Sequence, residues 1–528
     1  MEVRYMKNRC GFKFLITAIM FALLVGLLTI SASAASVEVA SGAEFEAAME
    51  QAKNGEIDTI ILINDITSIV TKFYPAASRN VIIKSSDGAN YTISSTNQLE
   101  IGITSGAYQY NKDLRANVTF QNVTFDLNNS QRAFYVSADG GVLNLDGVTI
   151  KNGKRSNNNG GAMAVFGEAN LTNVTISNCS VESLVPTFYC YGGAIYVEGG
   201  KLTLTGGNIS NCRTAGGTYN NGGAIYAKNS ELTVNGVTIS NNTAVWQGGG
   251  VFAIDSTVTM NSGNISSNTA TGHMGGGVAL YSTNFVMNGG SISKNTAHQT
   301  GGNVMLAEGS TFDYYYIKGA RVSNGTLSAS GGWSYSKDFI LQNETLNDTT
   351  LNVYIKTLTE GNMTLDTSNA PWVHNRAKSS YTGNYNLIYT VDSNISLSST
   401  WNISTPAPKN YNQYTDYTLP LYNYIIRGSN DAVISASGQN FSANQLISST
   451  KDMVAVTSGS AISFESITFD AKNTTNLRPL YIASGANVTL AADTLVKGGN
   501  ANEKGGGVLV NGATLTIYDA AWMRFCFR

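Results

Sequence analysis

Short runs in which an apolar residue alternates with a small polar one recur through the middle of this chain, as in Leu202-Thr203-Leu204 and Val237-Thr238-Ile239. Alternation with period 2 predicts a strand with one face turned inward. The runs are timed by a tetrad of the form Gly-Gly-small-aliphatic. It occurs at Gly160–Met163, Gly192–Ile195, Gly222–Ile225, Gly248–Val251, Gly275–Val278 and Gly301–Val304, with starts 32, 30, 26, 27 and 26 residues apart. Self-similarity at this period marks a solenoid.

Counting from the first glycine as zero, position +3 holds Met163, Ile195, Ile225, Val251, Val278 and Val304. In the four coils from Gly192 to Gly275, position +10 holds Leu202, Leu232, Val258 and Phe285, and +12 holds Leu204, Val234, Met260 and Met287. Position +17 is isoleucine throughout (Ile209, Ile239, Ile265, Ile292), and +20 is Cys212, Asn242, Asn268 and Asn295. Each coil therefore offers three short strands, separated by turn-like Gly, Asn, Ser and Asp. Stacking coil on coil about 4.8 Å apart sets like above like, and the asparagine column can satisfy its amides along the stack. The glycine pair fits where a turn needs unusual dihedrals or where bulk is excluded. The expectation is an all-β right-handed parallel β-helix, since parallel crossovers overwhelmingly turn that way.

The ends fit the same plan. Glu44–Ala52 reads as a short amphipathic helix that would cap the open end of the stack. Later, Phe464–Asp470, Leu480–Ser484 and Gly505–Val508 echo Phe120–Asp126, Phe134–Ala138 and Gly160–Met163 at offsets of 344, 346 and 345 residues. This predicts a second, truncated β-helix. The expected organisation is a leader over 1–34, a capped β-helix over 35–320, an irregular β connecting region over 321–420 with Trp333, Trp372 and Trp401, and the second copy over 421–528.

Lys7, Arg9 and Lys13 precede the apolar run Phe14–Ile30, and Ser31–Ala35 supplies a small-residue cleavage site after Ala34. That is the pattern of an export signal. Its removal leaves 494 residues with no second long apolar stretch and a net charge of −5, because the leader holds four basic residues and one acid. A negative chain lacks the basic field that non-specific nucleic-acid binding needs. The expected location is secreted or at the cell surface.

These tetrads, with Phe125–Asn128 as an F-x-x-N motif and Ile239–Asn242 and Ile265–Asn268 as its I-S-x-N counterparts, resemble the pectin-lyase-like right-handed β-helix superfamily. Within it they are most similar to the GGA[IVL] repeats of polymorphic outer-membrane proteins and adhesin-like proteins. The likeness covers about 120–310 and 464–510. It implies the parallel β-helix and an adhesive role at a surface.

All variation in coil length falls just before each tetrad, in Ser180–Tyr191, Thr214–Asn221, Val245–Gln247, Thr271–Met274 and His298–Thr300. These loops stack on one side, and insertions on one face of a repeat protein commonly mark its binding face. They carry Phe188, Tyr189, Tyr191, Tyr219, Trp246, His273 and His298. Tyr191, Tyr219, Trp246, His273 and His298 are the binding candidates, for a glycan or a host or neighbouring surface protein; shielding of the stack's corner is the alternative. No carboxylate accompanies the two histidines, so no metal site or other cofactor is expected. A carbohydrate-active enzyme is the competing function. Against it, the coils from Gly192 to Val304 offer few charges: Glu198, Lys201, Arg213, Lys228, Glu231, Asp255 and Lys294. Lys201 and Glu231 share position +9 and are expected to pair across coils, in a solvated turn. Cys179 and Cys212 fill the same slot in adjacent coils, within disulfide reach; Cys190 is the rival partner, and a pair of core thiols is the alternative.

Overall fold

The computed structural model describes residues 35–518 except 69, 74–79, 96, 103–114, 186, 329–338, 344–348, 368, 371–372, 378–383, 406–421, 430–431, 442–449, 492 and 502–505, together with 522–523. The leader, Trp333 and Trp372 lie outside the described residues. The chain winds as a parallel β-helix. Among the described residues, strands that begin in the tetrads form an 11-stranded sheet, here the tetrad sheet, and those that follow form a 17-stranded sheet, the long sheet. A third sheet has 10 strands. A fourth has seven and was not expected: its strands, such as Arg213–Gly216, Thr243–Ala244 and Thr269–Ala270, follow the asparagine position. They are so short that no alternation shows in the sequence.

Pairing is parallel and in register. Ile195, Ile225, Val251, Val278 and Val304 are successive partners, as are Leu202, Leu232, Val258, Phe285 and Phe312. Their side chains form one continuous buried cluster from Val39 to Val496. Phe285 and Phe312 stack within it, ring centroids 4.6 Å apart at 4°.

Turns between sheets must satisfy buried backbone groups that no ladder reaches. At the turn into the fourth sheet a column of asparagines does so. The Oδ1 of Asn268 accepts from the backbone N–H (3.0 Å) and the Nδ2 (3.0 Å) of Asn242, and that of Asn295 does the same for Asn268 (2.9 and 3.0 Å). Each Nδ2 also donates to a carbonyl of the preceding coil: Ile209, Ile239 and Ile265, all at 2.9 Å. Asn303 ends the series by accepting from Asn295. All four asparagines are fully buried. The residue just before the column stands in the left-handed region, as at Asn211 (φ 55°) and Asn241 (φ 57°), where a short polar side chain is tolerated.

The two tetrad glycines have separate reasons. The first is left-handed in each coil, for example Gly192 (φ 67°) and Gly222 (φ 71°). At the second, a Cβ on Gly193 or Gly223 would collide with the carbonyl oxygen of the next coil's second glycine.

The helix at the start spans Gly42–Lys53. Ser41 caps it by accepting from the Glu44 N–H (3.3 Å), and Glu44 reaches back to the Ala40 N–H (2.7 Å). Its apolar face, Phe45, Ala48, Met49 and Ala52, closes onto the core. Between 321 and 420, where the tetrads stop, the long sheet is not interrupted: Thr311–Tyr314 pairs with Thr350–Thr357, which pairs with Asn384–Val391 and then Tyr422–Gly428. Trp401 is buried there, its indole N–H donating to the Met363 carbonyl (3.0 Å). The sequence echo is repeated in three dimensions. Phe120 and Phe125 meet edge to face at 5.3 Å, and Phe464 and Phe469 at 5.0 Å. Asp126 pairs with Lys151 (3.1 Å) and Asp470 with Lys497 (3.5 Å).

Asn268→Leu is expected to orphan the Asn242 N–H and the Ile239 carbonyl and to cost about 1–3 kcal/mol for each buried group left unpaired. Gly223→Ala is expected to cost about 1–3 kcal/mol through overpacking. Both are read as a lower denaturant midpoint; an unchanged midpoint for Asn268→Leu would remove the ladder's structural role.

Candidate functional site

A coil has four corners, and two of them carry chemistry. The first is the loop side, between the fourth sheet and the tetrads. Four rings climb it: Tyr189 and Tyr219 meet at 5.7 Å, Tyr219 and Trp246 at 5.0 Å and 82°, and Trp246 and His273 stack face to face at 4.4 Å and 3°. One ring per coil is the spacing expected of residues that precede successive tetrads. Tyr189 and Tyr219 are exposed; Trp246 and His273 are half-buried. The Gln247 Nε2 lies 2.7 Å from the His273 Nδ1, and the Tyr281 hydroxyl donates to the Gln247 Oε1 (3.0 Å), so the imidazole is held from behind.

The other two candidates take different places. Tyr191 stacks on Tyr226 (4.4 Å, 17°) and belongs to packing rather than to the row of rings. His298 is half-buried and joins none of the ring contacts found among the described residues, although its neighbour Gln299 donates its N–H to the His273 carbonyl (3.0 Å). Among the described residues no three His, Cys, Asp or Glu side chains gather closely enough to hold a metal ion.

Tyr226 is part of a second aromatic column that sequence reasoning missed. It runs up the outer face of the tetrad sheet through Phe166, Tyr196, Tyr226, Phe252 and Tyr281, with centroids 5.1–5.9 Å apart. The loops fold over this face, so it packs a satellite core with Met274 and Met305. The available signal was at position +4, where Tyr196, Tyr226 and Phe252 stand in place of the polar residue that a solvent-facing strand position would carry. The column's edge is polar. The Tyr196 hydroxyl donates to Glu198 (2.5 Å), whose other oxygen pairs with Lys228 (2.9 Å). That hydroxyl, then Lys228, hold the Glu198 carboxyl below its ordinary value, while burial pushes the Tyr196 hydroxyl up.

The second corner lies between the tetrad and long sheets. From Ser230 onward it is closed by a ladder of hydroxyls. The Ser230 N–H donates to the Ser256 Oγ (3.1 Å), Ser256 to Thr283 (3.3 Å) and Thr283 to Ser310 (3.3 Å), and each hydroxyl donates onward to a nearby carbonyl. In the earlier coils glycine replaces the hydroxyl residue, at Gly141, Gly167 and Gly200, and a groove of about 550 Å³ opens. It gathers Arg115, Glu168, Lys201, Glu231 and Asp255. Glu168, Lys201 and Glu231 are successive register partners, and Arg115 pairs with Glu168 at 2.6 Å. Lys201 and Glu231 at position +9 are exposed, as a solvated position should be, but they open strands rather than sit in a turn, and with charged residues from three further coils they line the groove.

Residues 105–288 match the family described as right handed beta helix region. No curated protein matches the chain. No helix among the described residues is long and apolar enough to cross a membrane.

Glu198→Gln is expected to destabilise the protein at neutral pH. Because the folded-state pKa of Glu198 is lowered, its stabilisation is present above the unfolded value and is lost as pH falls through the folded one. The difference between wild type and variant should therefore shrink on acidification, as read by denaturant midpoints across pH 3–7. A difference independent of pH would contradict the Tyr196–Glu198–Lys228 arrangement.

Proposed function

We propose, on the premise that the chain belongs to the pectin-lyase-like right-handed parallel β-helix superfamily, that it is an exported cell-surface protein that binds a protein ligand through the loops preceding its tetrads. The fold fits surface proteins and carbohydrate-binding or carbohydrate-active proteins alike. The observation that carries the choice is a cluster of exposed apolar side chains. Leu184 (61% exposed), Val185 (43%), Phe188 (47%), Tyr189 (43%) and Tyr219 (47%) lie on two adjacent loops. Large apolar side chains grouped on a surface mark interaction sites, whereas single ones need no explanation. The row of rings continues this patch toward Trp246. Its rings are taken up by one another, edge to face at Tyr189–Tyr219 and Tyr219–Trp246 and face to face at Trp246–His273, and Leu184 and Val185 add aliphatic surface that has no hydrogen bonds to offer a sugar. Both features suit an apolar protein surface.

The groove supports a second reading, a carbohydrate-active site. Glu168 and Glu231 stand two coils apart, about 10 Å at the backbone, with Lys201 between them. Inverting glycoside hydrolysis uses carboxyl groups roughly 6.5–9.5 Å apart.

The two readings separate by site. In binding measurements against a panel of extracellular proteins and a glycan array, Tyr219→Ala and Phe188→Ala are each expected to weaken binding to a protein by about 10-fold or more, while Glu231→Gln leaves it unchanged. Binding only to glycans, or loss only in groove variants, would overturn the ridge. Release of reducing ends from a polysaccharide, abolished by Glu231→Gln, would establish the enzyme in its place.

A further inference from the structure

Cys179 and Cys212 hold one position in adjacent coils. The flanking pairs Ser177 with Ser210 and Ser180 with Arg213 are in register, which sets the two cysteines directly above one another at the coil spacing. That spacing, about 4.8 Å, lies inside the Cα separation of disulfides, roughly 4.4–6.8 Å. Both thiols are fully buried and share one orientation: the Cys179 Sγ–H donates to the Ser177 carbonyl (3.4 Å) and the Cys212 Sγ–H to the Ser210 carbonyl (3.3 Å). In the structure they are unbonded thiols.

Their place in the fold gives the pair a role. They continue the asparagine column toward the N-terminus. The Cys212 N–H still donates to the Asn242 Oδ1 (2.9 Å), but one coil earlier the acceptor offered to the Cys179 N–H is the Cys212 sulfur. Sulfur is a weak acceptor and a thiol has no amide to return, so the ladder loses its rungs where the coils bearing Phe188 and Tyr189 begin. Cys190 is not an equivalent partner. Its N–H is taken by the Asn220 Oδ1 (2.9 Å), and its sulfur meets the backbone N–H groups of Asn157 and Asn158 in the preceding coil.

We infer that Cys179 and Cys212 are joined as a disulfide that replaces the missing rungs and closes the segment 180–211, which carries the apolar loop. The step is a two-electron oxidation by a low-molecular-weight disulfide such as glutathione disulfide. The two S–H bonds break, one S–S bond forms, and the oxidant's S–S bond takes up both electrons and both protons as two thiols. Since the sulfurs are buried, the exchange takes place before these coils close. Export, as proposed above, supplies suitable conditions, but the chemistry can be examined without it.

The full chain is refolded in a glutathione redox buffer, alkylated with iodoacetamide in denaturant without reduction, digested and mapped by mass spectrometry. A Cys179–Cys212 cross-linked peptide pair that disappears on reduction is expected, with Cys190 alkylated. Alkylation of both Cys179 and Cys212 in unreduced protein, or a link from either of them to Cys10, Cys190 or Cys526, would overturn the inference. As a second measurement, reduction should lower the thermal midpoint of the wild type by several degrees and speed amide exchange over 184–191. It should change neither in the Cys179→Ser/Cys212→Ser double variant. Equal effects on both proteins count against the bond, and the peptide map stands even if the double variant does not fold.

Discussion

Each strand of this protein bonds through its backbone to the same strand one coil away, and every other feature follows from that parallel, in-register pairing. It fixes the rise at about 4.8 Å and forces identical positions into columns. A column works only if its side chain tolerates a copy of itself above and below. Isoleucine and valine do so inside, as the run from Ile195 to Val304 shows. Asparagine does so at a buried corner because each amide accepts from one neighbour and donates to another. A column of like charges would repel, and in the groove Lys201 stands between Glu168 and Glu231.

Corners are where this constraint leaves room for difference. The asparagine ladder is tight and invariant over Asn242, Asn268 and Asn295. The hydroxyl ladder is tight from Ser230 to Ser310, and where glycine takes its place the corner recedes and charged side chains line the opening. The loop corner carries no ladder of fixed length, so chain can be inserted there without disturbing the core. The apolar ridge and the groove are therefore on opposite ends of the same tetrad strands, held by one rigid scaffold. A ligand on the ridge need not contact the groove.

The aliphatic columns, the +20 asparagines and the capping helix were legible because each is a local or strictly periodic pattern. The position of the loops was legible for the same reason: they are what remains when the invariant register is subtracted. Which loop rings are exposed was not. Tyr191 and Tyr219 both come from variable loops, yet one is covered by Tyr226 and the other is open. The difference depends on Tyr226, which lies one coil beyond the tetrad strand that Tyr191 leads into. The groove was hidden too: Lys201 and Glu231 share position +9, but Arg115, Glu168 and Asp255 come to it from other positions of other coils, and the opening depends on glycine standing where later coils carry a hydroxyl.

The sequence by itself determined the coil, its register and its core, since translational stacking turns a one-dimensional period directly into contacts. Only the tertiary structure decided which surfaces the coils present. It added a fourth strand too short to show a period. It turned the outward tyrosines of the tetrad sheet into a second core under the loops, and it let a change from serine to glycine open a charged groove. Those outcomes depend on how side chains from different coils cover one another at the corners, where the period breaks and sequence spacing no longer measures distance.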